Sequence, residues 1–376
     1  MRHDMGNCGR TLIVFYDDYH TPLVDLVCCL QGGATVFVPV LNSTKPSIAF
    51  AAGAGWDVIE LDLRATFCDE VVRRAIKANA RYQGGYFLSA ALSRPVIAEA
   101  CVAILADATD AQVIHGFAGN DQVRFEAALL TLNGHLKVRC VSELLGSRTG
   151  ANQDRYTVSE NCWGGSIEAG PLADPWRQPL ESWGEAEQGE GGALTSDLVV
   201  SFASGVPVAL DGMKLGLLEI VDRLNAMGRS IPVDTVEDGW VGLKSRALYR
   251  EAAAEILIAA HADLERFVSS REQNLFKTQI DNAWSRLVYE GGWFDPHRAS
   301  LDAYIDDVNA WVSGDVRITV GRHGVRVVGR RSEYALYDEH VAIYRFGQDL
   351  GLDLARGLRD QLVATSRIAR ARRYGG

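Results

Sequence analysis

The sequence predicts an α/β protein in which a parallel, doubly wound sheet is followed by an α+β domain and a C-terminal helix. Three observations carry this expectation. Short apolar runs alternate with helix-period segments from Thr11 to Ile114, the pattern of successive βα units. From Asp197 onward, hairpin-like pairs and long amphipathic segments replace that alternation. The stretch from Leu352 to Arg373 keeps helical spacing and ends in the basic run Arg367, Arg370, Arg372 and Arg373, cations that suit the negative end of a helix dipole.

Taken in order, Thr11 to Phe15, Thr35 to Val40, Asp57 to Leu61 and Gln112 to Ile114 are apolar runs short enough for buried parallel strands. Between them, Pro22 to Leu30, Ile48 to Gly55, Asp69 to Ala80 and Pro95 to Leu105 carry helical spacing. Pro22 and Pro95 are expected in first turns, where a missing N–H is harmless. Such a sheet receives ligands at the C-terminal ends of its strands, so the turns after Phe15 and Ile114 are the places to look. The boundary of the first domain is expected near Asn161 to Ser166, giving domains 1–165, 166–345 and a C-terminal arm 346–376. Glu181 to Gly192, rich in Glu, Gly and Gln, reads as a solvated insertion.

In the second part, Asp197 to Ala203 and Pro207 to Leu210 flank Ser204-Gly205, a hairpin signal. Helices are expected over Lys214 to Met227, Glu251 to Val268, Phe276 to Tyr289 and Leu301 to Val312. Val316 to Val320 and Gly324 to Val328 alternate as strands around Arg322-His323.

With 376 residues, 47% of them hydrophobic, the chain can build two sizeable cores. Its 38 basic and 48 acidic residues give a net charge of −10, which argues against a general nucleic-acid or anionic-membrane surface. No apolar run approaches a membrane span, and Met1-Arg2-His3-Asp4 lacks the apolar core of a signal peptide. The cytoplasm is the expected location. Cys8, Cys28, Cys29, Cys68, Cys101, Cys140 and Cys162 show no paired zinc spacing, so buried reduced thiols and no metal site are expected.

The densest recognition chemistry lies in Gly116-Phe117-Ala118-Gly119-Asn120-Asp121-Gln122-Val123-Arg124-Phe125-Glu126. Arg124 offers a planar fork for a carboxylate, Asp121 and Glu237 can hold an ammonium, and Asn120 supplies both a donor and an acceptor. Each residue taken alone would pass as a solvated charge. Together, between two glycines and a helix start, they read as a loop for a charged, amino-acid-like ligand.

This loop resembles the GxTGKGNDQxRFE loop of argininosuccinate synthetases, and the likeness runs from Leu12 to about Tyr337. It takes in Tyr86 with Arg94-Pro95, then Glu160-Asn161-Cys162-Trp163-Gly164-Gly165-Ser166-Ile167-Glu168-Ala169-Gly170 against the family's ENLWGRSIExG. It continues through Gly205 to Leu210, Val236-Glu237, Gly242 to Arg246 with Tyr249, and Leu287 to Pro296. The chain is identified as a divergent member. The resemblance implies a PP-loop (adenine nucleotide alpha hydrolase-like) sheet, a synthetase and multimerisation domain, and a C-terminal arm that locks a homotetramer. It implies that citrulline is held by Tyr86, Arg124, Thr157, Ser166, Glu237 and Tyr249, and aspartate by Asn120 and Asp121. Thr157 stands for a serine and keeps the hydroxyl, whereas Ala90 and Ala91 stand for a serine and a threonine, after Ser89 at a glycine position.

One family feature is altered. The SGGLDTS turn, whose backbone N–H groups hold ATP pyrophosphate, reads here as Tyr16-Asp17-Asp18-Tyr19-His20-Thr21-Pro22. Each carboxylate facing a phosphate charge at about 4 Å would cost roughly 4 kcal/mol at an effective dielectric near 20. The TGKG step is shortened to Ala118-Gly119, and Val40-Leu41-Asn42-Ser43-Thr44 lacks the usual GQ. No cofactor is therefore expected, although the family uses ATP and Mg.

The expected function is a repurposed enzyme that makes or breaks a C–N bond between aspartate-like and ureido- or guanidino-like groups without ATP, in specialised metabolism. Its partners would be amino-acid substrates and its own copies. Two alternatives stand beside it: a non-catalytic amino-acid-binding or regulatory homologue, and an ATP-dependent synthetase with an unusual ATP pose. Glu237 and Tyr249 are the candidates for proton transfer. Asp17, Asp18 and His20 form either a metal or acid–base cluster or a plain solvated turn. His115 reads as a proton shuttle or a half-buried structural histidine. Cys162 is expected to pack beside the pocket, and Tyr16 and Tyr19 to fill the old nucleotide cleft.

Overall fold

A computed structural model of the chain describes residues 10–16, 34–42, 56–108, 110–145, 156–177, 196–227, 233–235, 245–321, 324–337, 339 and scattered positions of 356–370. The chain divides into two compact units, Met1–Tyr334 and Ala335–Gly376. In the second unit the described positions of 356–370 are helical and exposed.

Five strands form the first sheet: β1 (Arg10–Val14), β2 (Ala34–Val40), β3 (Asp57–Asp62), β4 (Ala111–His115) and β5 (Lys137–Cys140). All neighbours are parallel, in the order β3-β2-β1-β4-β5. Leu12 and Val14 enter one apolar layer while Ile13 and Phe15 enter the other. A central strand covered on both faces needs an unbroken apolar run, and that is what the sequence shows. The strand order reverses between β1 and β4, so the crevice at their C-terminal ends is the switch point where such sheets bind ligands.

Arg64–Thr66, a π-helical turn Phe67–Val72, and Arg73–Lys77 run on as one helix, α1, which buries Phe67, Cys68, Val71 and Val72. Ser89–Ile104 forms α2, Gly119–Leu132 α3 and Val141–Leu145 α4. Pro95 does not sit in a first turn as expected; it lies inside α2. The helix starts earlier because side chains outside it take its first N–H groups: Tyr86 Oη, just before the helix, accepts from Ala90 N and Ala91 N, and the remote Glu251 accepts from Ser89 N. Pro95 then only forgoes one interior N–H.

The second part holds two antiparallel sheets. β6 (Thr157–Asn161), β7 (Gly164–Glu168), β11 (Val233–Thr235) and β12 (Ala247–Arg250) pair in the order β11-β12-β7-β6. β8 (Ser196–Ala203), β9 (Val206–Leu210), β10 (Met213–Lys214), β13 (Gly314–Gly321) and β14 (Gly324–Arg331) pair in the order β10-β9-β8-β13-β14. Lys214, expected to open a helix, is instead a strand residue paired with Ala209. The Asp211-Gly212 pair, with φ of +48° and +78°, makes a tight hairpin turn, and the helix α5 begins only at Leu217 and runs Leu217–Ala226.

Helices α6 (Ala252–Val268), α7 (Arg271–Tyr289) and α8 (Pro296–Asn309) follow. Ser270 and Gln273 close a capping box on α7, and Asp295 caps α8 with Pro296 behind it. One apolar cluster joins Leu12 and Val113 of the first sheet to Trp163, Val200, Leu257, Trp284 and Val316, so the first sheet and the α+β part share a core. Cys68, Cys101, Cys140 and Cys162 are buried free thiols, as expected. Residues 17–33, 43–55, 178–195 and 236–244 lie outside the described residues. With them go the expected helices of 22–30 and 48–55, the insertion Glu181 to Gly192, the turn Asp17, Asp18, Tyr19, His20, Thr21 and Pro22, and Glu237.

Candidate functional site

The crevice between β1 and β4 is furnished from four directions. Helix α3 opens at Gly119, whose φ of +56° an L side chain takes reluctantly and whose missing Cβ would face open space. This start places Asn120, Asp121 and Arg124 within the first two turns of the helix. Asn120 Nδ2 donates to Tyr289 Oη at 3.3 Å. Asp121 accepts from two guanidinium groups, Arg124 Nη1 on Oδ1 and Arg94 Nη2 on Oδ2, each at 2.8 Å.

Arg94 is fully buried and Arg124 is 5% exposed, so neither is an ordinary solvated surface charge. Burial pushes the Asp121 carboxyl up, but the charges and hydrogen bonds of Arg94 and Arg124 outweigh it and hold the group below its ordinary value. Asp121 is therefore an ionised strut rather than a base. Each of its oxygens keeps a lone pair for a ligand ammonium. Arg124 Nε donates to the Tyr289 carbonyl at 2.6 Å and its guanidinium stacks 4.4 Å over the Tyr289 ring. Its Nη2 is buried with no hydrogen-bond acceptor among the described residues.

Tyr86 lies edge-on to Tyr289. Its ring stacks on Tyr249 with centroids 4.2 Å apart and meets Tyr289 edge-on at 6.3 Å. Its hydroxyl accepts from Ala90 N at 2.9 Å and Ala91 N at 3.3 Å. With both lone pairs used, the phenol is left as a donor. Burial raises its pKa strongly, which keeps that proton in place.

The small sheet supplies the remaining wall. Ser159 on β6, Ser166 on β7 and Tyr249 on β12 are direct cross-strand partners, so they share one face, and Thr157 two residues along β6 shares it too. Arg94 Nη2 reaches Ser159 Oγ at 3.3 Å, tying that face to Asp121. Of the described residues of the expected set, Asn120 and Arg124 meet Tyr289, Asp121 pairs with Arg124, Tyr86 stacks on Tyr249, and Thr157 and Ser166 lie on the sheet face that Tyr249 shares. Glu237 falls outside the described residues.

Sequence reading did not single out Arg94, Ser159, Tyr289 or Glu251 as site residues. Arg94 and Tyr289 sat inside matched motifs, which was a usable signal. Ser159 and Glu251 carried none, because only strand register and a distant turn reveal them.

At the end of β4, Phe117 N donates to His115 Nδ1 at 3.2 Å, so the ring proton sits on Nε2 and is given to Glu126 Oε1 at 3.1 Å. Hydrogen bonds from His115 and then Gln122 hold Glu126 below the usual carboxylate range. His115 is fully buried rather than half-buried. Tyr16 is buried, donates to the Glu160 carbonyl at 3.0 Å, and lies beneath Arg94 at 5.1 Å.

A parallel sheet whose strand order reverses between β1 and β4, with an antiparallel sheet beside it, defines an α/β protein of the kind that binds ligands at the switch point. Comparison with known proteins gives the family. The model for the arginosuccinate synthase N-terminal HUP domain matches residues 46–151, and that for the arginosuccinate synthase C-terminal domain matches residues 156–368. An argininosuccinate synthase of Dehalococcoides mccartyi strain BAV1 is 36% identical over 322 residues, covering 79% of this chain and 78% of that protein, and the one from strain CBDB1 matches equally. The chain belongs to the argininosuccinate synthase family of C–N ligases.

This membership corrects the expectation of no cofactor, because the family uses ATP and Mg. The described residues fit such a group. Gly119 opens a 14-residue helix whose N-cap, Ala118, makes no side-chain cap bond, and the positive end of a helix dipole suits phosphate or carboxylate oxygens. Two aspartates after β1 weighed against ATP in the sequence because their charges were taken to face the phosphates. The turn that carries them lies outside the described residues, and membership of an ATP-using family stands against that expectation.

Proposed function

We propose that this chain is an ATP-dependent C–N ligase that joins the amino group of aspartate to the ureido carbon of citrulline. The observation that carries the reading is Arg124, a buried guanidinium with one arm on Asp121, one on the Tyr289 carbonyl, and Nη2 without an acceptor among the described residues. A buried donor left open beside a donor-only phenol suits an incoming carboxylate or carbonyl oxygen.

In this reading Tyr86, Arg124, Thr157, Ser166, Glu237 and Tyr249 hold citrulline, and Asn120 and Asp121 orient aspartate. Arg94 fixes Asp121 against Ser159, so the two substrate walls keep one spacing, and orientation of this kind supplies several kcal/mol of the barrier. ATP, when bound, turns the ureido oxygen into a leaving group; the start of α3 is the described place for its anionic part. Asp121, held ionised, does not accept the proton of the aspartate ammonium. Glu237 and Tyr249 remain the proposed groups for proton movement. A tetramer of three-part subunits, 1–165, 166–345 and 346–376, belongs to the same proposal.

The test is direct. Purified protein with ATP, Mg, citrulline and aspartate should release AMP and form argininosuccinate only when all four are present. AMP release that ignores both amino acids, or none at all, would reject the reading.

A further inference from the structure

Between Tyr86 and α2 the chain makes a buried turn, Phe87-Leu88-Ser89, held by three side chains from distant parts of the chain. Trp163 Nε1 donates to the Phe87 carbonyl at 3.0 Å, and Asn161 Nδ2 donates to the Ser89 carbonyl at 2.8 Å. Glu251 completes the set: Oε2 accepts from Phe87 N at 2.8 Å and Oε1 from Ser89 N at 3.3 Å. Leu88 sits at φ +64°, a conformation that a leucine keeps only when its surroundings impose it. Glu251 is 4% exposed, and a Cβ on Gly164 would collide with its side chain. Carboxylate and glycine are therefore fitted to each other.

We propose that Glu251 is a positioning residue for Tyr86, and that its ionisation sets the affinity of the site for the acceptor oxygen of the amino-acid substrate. The identity of that substrate rests on the ligase reading; the control of the turn rests on the hydrogen bonds alone. An ionised carboxylate offers two acceptors to two N–H groups. On protonation the charge is lost and the oxygen that takes the proton becomes a poorer acceptor, so two charge-assisted bonds of the turn become neutral ones and the grip weakens by about one net hydrogen bond. Tyr86 directly precedes Phe87, and its hydroxyl accepts from Ala90 N and Ala91 N just past Ser89. Loosening the turn therefore displaces the phenol that faces the ligand.

Burial pushes Glu251 up to about 7, opposed by the bonds from Phe87 and Ser89 and by the charge of Arg81. The groups facing it are Arg81 from the segment before Tyr82, Glu255 one turn along α6, and Tyr86 with the Arg124–Asp121 pair beyond. Arg81 stays cationic throughout, and Arg124 and Asp121 offset one another.

Two readouts on the full chain test the proposal: citrulline affinity by calorimetry from about pH 5.5 to 9, and the indole N–H resonance of Trp163 in the ligand-free protein. Affinity should weaken about tenfold on the acid side, the worth of one net hydrogen bond, and the Trp163 signal should move with a midpoint near 7. In Glu251→Gln, which carries one acceptor and one donor, both profiles should be flat, with affinity fixed at the acid value. A Trp163 signal that does not titrate, or one with the same midpoint in the variant, overturns the proposal. If Trp163 titrates as described while citrulline binds at no pH, the ligase reading falls and the ionisation-controlled turn stands. Should Glu251→Gln fail to fold, Arg81→Gln serves instead: loss of the facing cation must raise the Trp163 midpoint, and an unmoved midpoint overturns the proposal.

Discussion

Asp121→Asn removes one charge from a buried triad and leaves its shape intact. The wild-type carboxylate meets Arg94 and Arg124 at 2.8 Å each, and both cations are withdrawn from water. An amide of the same size leaves two buried guanidinium groups with no counter-charge between them and only one acceptor oxygen. Removing one partner of a buried pair costs about 3–5 kcal/mol. At about 2–4 °C per kcal/mol for a domain of a few hundred residues, Tm should fall by roughly 6–20 °C.

The sign with pH follows from the depressed folded-state pKa of Asp121. Its stabilisation is complete above the unfolded value of 3.8 and is lost as pH falls through the lower folded value. The difference between wild type and variant should therefore stay constant from neutral pH down to about 4 and shrink below it. Thermal melts across that range, with urea titrations at two points, measure both. A variant that melts within about 1 °C of wild type at neutral pH would show that the three charges do not depend on one another.

Tyr86→Phe should leave the N–H groups of Ala90 and Ala91 without their shared acceptor, costing about 1–3 kcal/mol in urea unfolding and weakening citrulline binding; a fully stable variant with unchanged affinity would remove Tyr86 from the site. Arg124→Lys keeps the charge but cannot reach Asp121 and Tyr289 while also presenting a free arm. Citrulline affinity measured by calorimetry should drop at least about tenfold with the loss of one charged hydrogen bond, and an unchanged value would refute the fork. Away from the site, Lys277 is 1% exposed and lies 2.6 Å from Asp281 and 3.1 Å from Glu265. Lys277→Met should strand two buried carboxylates and destabilise the chain by about 3–5 kcal/mol in chemical denaturation, with a loss below about 1 kcal/mol counting against it.

The outline of the first sheet was readable because strands buried on both faces must be apolar throughout, and the runs at Thr11 and Thr35 could be little else. Family membership was readable for a different reason: the Asn120 loop and the segments from Glu160 to Gly170 and Leu287 to Pro296 are polar or glycine-rich sequences that packing alone would not select. Helix starts were less legible. Pro95 looked like a first-turn residue, yet α2 begins at Ser89 because Tyr86 and Glu251 satisfy its first N–H groups from outside the helix. Lys214 looked helical until the Asp211-Gly212 turn folded it into a strand.

Local composition and spacing determined the strand and helix alternation and the residue types that mark a ligand for an amino-acid pocket, since these depend on neighbours in the chain. The charge state of Asp121, the donor-only phenol of Tyr86 and the grip of Glu251 on the 87–89 turn were decided by tertiary structure alone. Asp121 needs Arg94 from 27 residues away and the 87–89 turn needs Glu251 from more than 160, while the Tyr86 phenol needs the buried start of α2 folded back on it; a linear pattern records neither such meetings nor the loss of solvent.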